Sequence, residues 1–266
     1  MEMKTFPSLV LMAFVVLATS CIMVVDPEQA QSWREGGEFR KTVDLKAGGT
    51  VAVAHSLGNV IVTGWDKDSV EVVASGRRAE PGAGGGVRFY GPTEYESSID
   101  VRRGDGVVRI RTRSLGGPWV ASGLDYSIEV PSSVNLDPLT VTRGDVAISD
   151  VYGRIAAEIA TGSLTVRNFS GPLKASVGTG GADVELLDVR ETDAVDISVK
   201  EGDIIVRLEG DASARIEAEA PGGEITSEYD LGLKPHAHAL AGRLGAGGAV
   251  IKLKTGRGNV KILKTK

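Results

Sequence analysis

From Phe39 onward the chain alternates apolar and polar positions with a period of two, the pattern of strands with one buried face. Val51-Ala52-Val53, Val60-Ile61-Val62, Val70-Glu71-Val72, Val107-Val108-Arg109-Ile110 and Ile128-Glu129-Val130 carry it. Apolar residues at i, i+3 and i+4 are hard to find in any long window, so few helices are predicted.

From Thr142 the strands fall into a repeat. Its core is a glycine, a polar residue and then two apolar positions separated by one residue. It reads Gly144-Asp145-Val146-Ala147-Ile148, Gly162-Ser163-Leu164-Thr165-Val166 and, with one inserted residue, Gly181-Ala182-Asp183-Val184-Glu185-Leu186. Gly202-Asp203-Ile204-Ile205-Val206, Gly223-Glu224-Ile225-Thr226-Ser227 and Gly258-Asn259-Val260-Lys261-Ile262 continue it, and Gly58-Asn59-Val60-Ile61-Val62 is an early relative. The first apolar position moves from 146 through 164, 184 and 204 to 225, in steps of 18, 20, 20 and 21. A second strand lies between copies, starting at Ile155, Leu173, Val195 and Ile216, with steps of 18, 22 and 21.

One unit of two short strands and two turns cannot bury its own apolar face. Stacked units bury it against one another, each backbone pairing with the next at about 4.8 Å. Glycine followed by Asp, Asn or Ser suits the corners, by left-handed backbone angles or by a capping side chain. Small residues such as Ala156, Ala175 and Ala218 would fit a narrow interior. The prediction is an all-β protein: a parallel, β-helix-like solenoid with two-strand rungs of roughly twenty residues. A β-sandwich of hairpins is the alternative, because strands spaced about ten residues apart also suit it.

The N-terminus is different. Lys4 precedes the ten-residue apolar run Leu9–Ala18, which is followed by Thr19-Ser20-Cys21. The run is too short to span a bilayer and the right length for the core of a secretory signal. Ala18-Thr19-Ser20-Cys21 resembles a bacterial lipobox, in which the cysteine becomes the acylated first residue, although leucine stands one place early at Leu17. Ordinary cleavage after Ser20 is the competing outcome. Cys21 is the only cysteine, so no intrachain disulfide can form. The chain thus divides into a signal peptide (1–20), a polar lipid-anchor tether (21–38) and a β-domain (39–266), with Trp33 either docked on the domain edge or at the membrane interface.

Residues from about Phe39 to Lys266 resemble the bacterial DUF4097 family, the putative adhesin domain of the cell envelope. The resemblance rests on Gly58-Asn59-Val60-Ile61-Val62-Thr63-Gly64 with Val70-Glu71-Val72, on the corners Thr161-Gly162-Ser163 and Glu201-Gly202-Asp203, and on Gly245-Ala246-Gly247-Gly248-Ala249-Val250-Ile251-Lys252-Leu253-Lys254-Thr255. It implies a solenoid-like fold in exported or membrane-tethered proteins, and it brings no catalytic residue and no cofactor. The segments Arg77–Gly91 and Gly116–Gly123 depart from the rung pattern.

Composition narrows the chemistry. With 266 residues, 42% hydrophobic and 24% charged, the chain is not intrinsically disordered; a net charge of −5 argues against a nucleic-acid partner. The 35 glycines make it turn-rich. There are three histidines; His236 and His238 could offer two nitrogens to a metal, but no cysteine or third histidine stands near. No Gly-x-Ser-x-Gly elbow, His-Glu-x-x-His or phosphate loop occurs. Gly82-Ala83-Gly84-Gly85-Gly86 reads as a surface excursion. Gly178-Thr179-Gly180-Gly181-Ala182-Asp183 occurs once, whereas calcium-binding β-rolls repeat such a motif every nine residues.

Charge is segregated. Residues 183–230 hold 15 acids and 4 bases, whereas Lys252, Lys254, Arg257, Lys261, Lys264 and Lys266 follow position 250 with no acid. The basic run is expected to form a solvated face and charged edge on the last strands, or to meet phosphate-rich glycans or headgroups, with Arg109, Arg111 and Arg113 extending it if the fold brings them near. Phe89, Tyr90, Tyr95 and Trp119 would plug an open end or line a sugar groove. Together these features predict a non-enzymatic exported protein of the cell envelope, membrane-anchored through Cys21, which in a Gram-negative host would place it in the outer membrane or periplasm. It would offer a rigid solenoid to envelope glycans or proteins as an adhesion or scaffold surface. A polysaccharide-binding or polysaccharide-degrading β-helix and an envelope-stress regulatory partner are the alternatives.

Overall fold

Alternating sequences pair wherever their inward side chains find a common core, and here they do so in a nearly continuous stack. A computed structural model describes residues 38–76, 99–112, 123–190, 193–232 and 236–265, and the backbone of 32–34. Among the described residues there are strands and no helix. Sixteen of the strands form eight coils, each coil giving one strand to each of two sheets. Strands β1 (Ser32–Arg34) and β2 (Glu38–Asp44) precede coil 1, which is β3 (Thr50–Leu57) and β4 (Val60–Trp65). Strands β5 (Ser69–Gly76) and β6 (Ile99–Gly104) precede coil 2, β7 (Val107–Thr112) and β8 (Leu124–Pro131). Coil 3 is β9 (Asn135–Arg143) and β10 (Val146–Ser149); coil 4 is β11 (Ile155–Thr161) and β12 (Leu164–Phe169). Coil 5 is β13 (Leu173–Thr179) and β14 (Ala182–Leu186); coil 6 is β15 (Ala194–Glu201) and β16 (Ile204–Leu208). Coil 7 is β17 (Ala214–Glu219) and β18 (Ile225–Ser227), and β19 (Ala239–Leu244) leads to coil 8, β20 (Ala249–Arg257) and β21 (Val260–Lys264).

The first sheet runs β1-β2-β5-β8-β4-β10-β12-β14-β16-β21-β18 and the second β19-β17-β20-β15-β13-β11-β9-β3-β7-β6. Every coil-to-coil pairing is parallel, as in Val146↔Leu164 and Ile155↔Leu173, so the solenoid is the architecture and the sandwich of hairpins is not. Among the described residues antiparallel strands occur only at the ends: β1, β2 and β5 beyond β8, β6 beyond β7, and β19 beyond β17.

The coils do not stack in chain order. The order is 2-1-3-4-5-6-8-7: coil 1 lies between coils 2 and 3, and coil 8 between coils 6 and 7. Thus Val60 pairs with both Tyr126 and Val146, and Val260 with both Ile204 and Ile225. The expected run of consecutive rungs holds for coils 3 to 6 and fails at both ends.

Inside, one apolar column follows another. Val60, Val146, Leu164, Ala182, Ile204 and Val260 are all buried, facing Leu136, Ile155, Leu173, Val195 and Ile251 of the other sheet within one cluster. Burying each such aliphatic side chain stabilises by roughly 1.5–3 kcal/mol. Two details differ from the predicted alignment. Leu164 pairs with Ala182, not Val184, so that step is 18 residues and the corner glycine is Gly180. In β11 it is Ala157 that points inward, while Ala156 lies on the outer side; Ala175 and Ala218 are buried as expected.

The corners explain the repeated Gly-polar pair. Gly162 has φ +135°, and a Cβ there would lie 2.0 Å from the carbonyl oxygen of Gly144. The same collision, at 1.8–2.1 Å, recurs at Gly58, Gly144, Gly180, Gly202, Gly258 and Gly223 against the neighbouring coil. This column of glycines lets backbones stack without side-chain obstruction. The next residue then ties coils together. The Asp145 amide donates to Asn59 Oδ1 (3.1 Å), the Ser163 amide to Asp145 Oδ1 (2.8 Å), the Asn259 amide to Asp203 Oδ1 (2.8 Å) and the Glu224 amide to Asn259 Oδ1 (3.0 Å).

Candidate functional surfaces

Outward side chains alternate with the buried ones, so each sheet offers rows of residues at strand spacing. On the second sheet one row is Lys174, Asp196, Lys252 and Glu217, and a parallel row includes Lys254 and Glu219. Lys254 Nζ lies 2.8 Å from Glu219 Oε2 and Lys252 Nζ lies 3.8 Å from Glu217 Oε2. The Glu219 pairing holds the Lys254 ammonium above its ordinary range and the Glu219 carboxyl below its own. Arg257 pairs with Glu201 at the corner. The basic C-terminal run is therefore not a charged edge: coil 8 sits between coils 6 and 7, with Lys252 in register between Asp196 and Glu217, Lys254 paired with Glu219 and Arg257 with Glu201. Arg109 and Arg111 are on β7, at the opposite end of the stack, and do not extend it.

On the first sheet Asp183 accepts from Arg167 (2.9 Å) and also pairs with Arg207. A carboxylate already held by two guanidinium groups is a poor calcium ligand, so Gly178–Asp183 is a corner and not an ion site. Trp65 donates its indole N–H to the Ser69 carbonyl (2.8 Å), with Lys67 Nζ 4.2 Å from the ring centroid.

A polar cluster that sequence patterning missed lies inside. His55 is buried on β3, with Nδ1 2.7 Å from Thr112 Oγ1, which is 3.0 Å from the Tyr126 hydroxyl. The His55 and Tyr126 rings meet edge-on at 4.8 Å. Burial pushes the imidazole below its ordinary pKa and the phenol up to about 12. His55 follows the inward alternation of Val51 and Val53, and that periodicity was the available signal. The group joins coils 1 and 2 and gives neither nitrogen an outlet to solvent.

His236 and His238 do not converge. His236 Nδ1 is 2.6 Å from Glu224 Oε1, which raises its pKa, and His238 Nδ1 is 2.5 Å from the Gly223 carbonyl. Among the described residues no three His, Cys, Asp or Glu side chains are grouped to hold a metal. Cys21, Phe89, Tyr90, Tyr95, Arg113, Trp119 and the glycine run 82–86 lie outside the described residues.

A family model described as Toastrack DUF4097 matches residues 40–263. The chain belongs to that family. A putative cell adhesion protein from Clostridium sporogenes is 13% identical, with a TM-score of 0.48, over 86% of this chain and 99% of that one. A putative adhesin from Bacteroides fragilis is 12% identical with a TM-score of 0.28, over 85% and 97%. A putative lipid binding protein from Parabacteroides distasonis is 9% identical with a TM-score of 0.35, over 87% and 98%. No curated protein matches the chain.

Proposed function

We propose that this Toastrack DUF4097 chain is a non-enzymatic, exported protein of the bacterial cell envelope. Acylated Cys21 tethers it, and the solenoid serves as a rigid adhesion or scaffold surface. The observation that carries the proposal is the stack itself. Inward positions are filled with packed aliphatic side chains, corner glycines and their polar neighbours lock coil to coil, and the remaining side chains form long ordered charged rows. Such a molecule is stiff and offers extended faces to a macromolecular partner. The Leu9–Ala18 run and the Ala18-Thr19-Ser20-Cys21 site support export and acylation.

Intact mass of protein extracted from membranes tests the location. A mature N-terminus at Cys21 carrying acyl chains is expected, and Cys21→Ser should release the protein from the membrane fraction. A chain cleaved after Ser20 without added lipid overturns the anchor. Retention of the uncleaved protein in the cytoplasm overturns export as well.

A further inference from the structure

We propose that the outer face of β6 and β7 docks on an anionic membrane by binding the phosphate groups of its lipids. Along the coil-to-coil ladders of this sheet opposite charges adjoin: Lys174 with Asp196, Asp196 with Lys252, Lys252 with Glu217 and Lys254 with Glu219. Like charges face each other at the two closing ladders of the sheet, Arg215 across from Arg243 on β17 and β19, and at β6 and β7, where further arginines join them. Arg102 stands directly across the ladder from Arg109, both exposed. Like charges in such positions destabilise a strand pair. Asp100 faces Arg111, yet its carboxylate engages Arg102 at 2.8 Å. Arg103 reaches Asp44 at 3.6 Å. Neither Arg109 nor Arg111 forms an ion pair among the described residues.

The surroundings suit a flat anionic partner. On the other side of β7 the rows continue as Ala52 and Ala54, so among the described residues no large side chain of the neighbouring strand screens the two arginines. Residues 99–112 contain four arginines against Asp100 and Asp105, a local net of +2 in a chain of net −5. Guanidinium groups match phosphate oxygens in pairs.

Position selects the membrane over a soluble polyanion. Strands β6 and β7 close the same end of the stack as β2 and β1. Lys41 of β2 donates to the Val101 carbonyl of β6 (3.0 Å), tying the two sheets together there. Ten residues separate Cys21 from Ser32, a reach of about 35 Å when extended. The choice of a membrane as occupant rests on the anchor proposed above.

The test uses the full chain with Cys21→Ser, so that acylation plays no part and its failure would not affect the result. Sedimentation with vesicles of phosphatidylcholine alone, and of phosphatidylcholine with phosphatidylglycerol, is compared at low and high salt. Binding should require phosphatidylglycerol and weaken with salt. Arg109→Ser with Arg111→Ser should weaken it by about 30-fold, the effect of two basic residues at a charged surface. Lysine at both positions should restore most of the binding, and Lys252→Ser with Lys254→Ser should change it less than about twofold. Equal binding to both vesicles overturns the proposal. So does undiminished binding by a folded arginine-to-serine variant, or capture of soluble polyphosphate without binding to the anionic vesicles.

Discussion

Coils 3 to 6 and the two ends of the stack obey different rules. In the middle each coil follows the last in chain order, and both neighbours present the same apolar columns and the same glycine corner. At the ends a terminal coil is inserted between two others, antiparallel strands close the sheets, and polar groups enter the interior. The difference teaches that a stacking repeat specifies how coils pair without specifying which coils are neighbours. Parallel backbones offer the same hydrogen bonds to any coil. Order must come from side chains and from the connections.

The outer charge pattern matches the C-terminal insertion. If coil 7 lay directly on coil 6, Asp196 and Glu217 would be adjacent on the outer row, which is unfavourable. With coil 8 between them, Lys252 stands in register with both and its ammonium pairs with Glu217, and Lys254 pairs with Glu219. The acidic run 183–230 and the basic tail are thus two parts of one charge pattern.

The largest effect that would sharpen this comparison comes from removing residues 249–266. Coil 8 pairs on both flanks in both sheets. Its loss should uncover coils 6 and 7 together, giving aggregation or early, non-cooperative urea unfolding measured by circular dichroism. A truncated chain that unfolds like the parent would contradict the inserted position.

In the middle, Gly162→Ala should be severe, costing roughly 3 kcal/mol or more, because its Cβ would meet the Gly144 carbonyl at 2.0 Å. Gly48→Ala is the contrast. It also has positive φ (+80°) but nothing lies within 4 Å of a Cβ, so about 1–2 kcal/mol is expected. Equal urea midpoints for the two variants would remove the stacking argument.

At the N-terminal end, Tyr126→Phe should cost about 1–2 kcal/mol by removing the hydroxyl partner of Thr112. His55 adds a pH signature. Burial lowers its folded pKa from 6.5, so the unfolded chain takes up a proton first on acidification. Stability should be full above about pH 6.5 and fall as pH drops toward the folded pKa. His55→Gln should flatten that slope in urea midpoints measured between about pH 5 and 7. The smallest effect is at an outer row: Lys254→Ala, on an exposed pair, should leave the urea midpoint unchanged within error.

The sequence made the middle legible because burial with period two, a corner glycine and a polar cap all recur there within one spacing. It misplaced one corner by a residue, since Gly180 and Gly181 are adjacent and only backbone angle and register separate them. It read Ala156 as inward because two adjacent alanines carry no preference by composition. The order of the coils was not legible, because insertion depends on contacts between segments more than fifty residues apart, such as Ile204 with Val260. The buried His55–Thr112–Tyr126 group was hidden because three residues distant along the chain meet only after coil 1 slides between coils 2 and 3.

Crosslinking in a Cys21→Ser background tests the inserted coil most directly. Cysteines at positions 196 and 252, or at 217 and 252, occupy adjacent outward sites on paired strands and should form disulfides on mild oxidation, whereas the pair at 196 and 217 should not. A strong 196–217 crosslink with none to position 252 would place coil 7 on coil 6 and contradict the account.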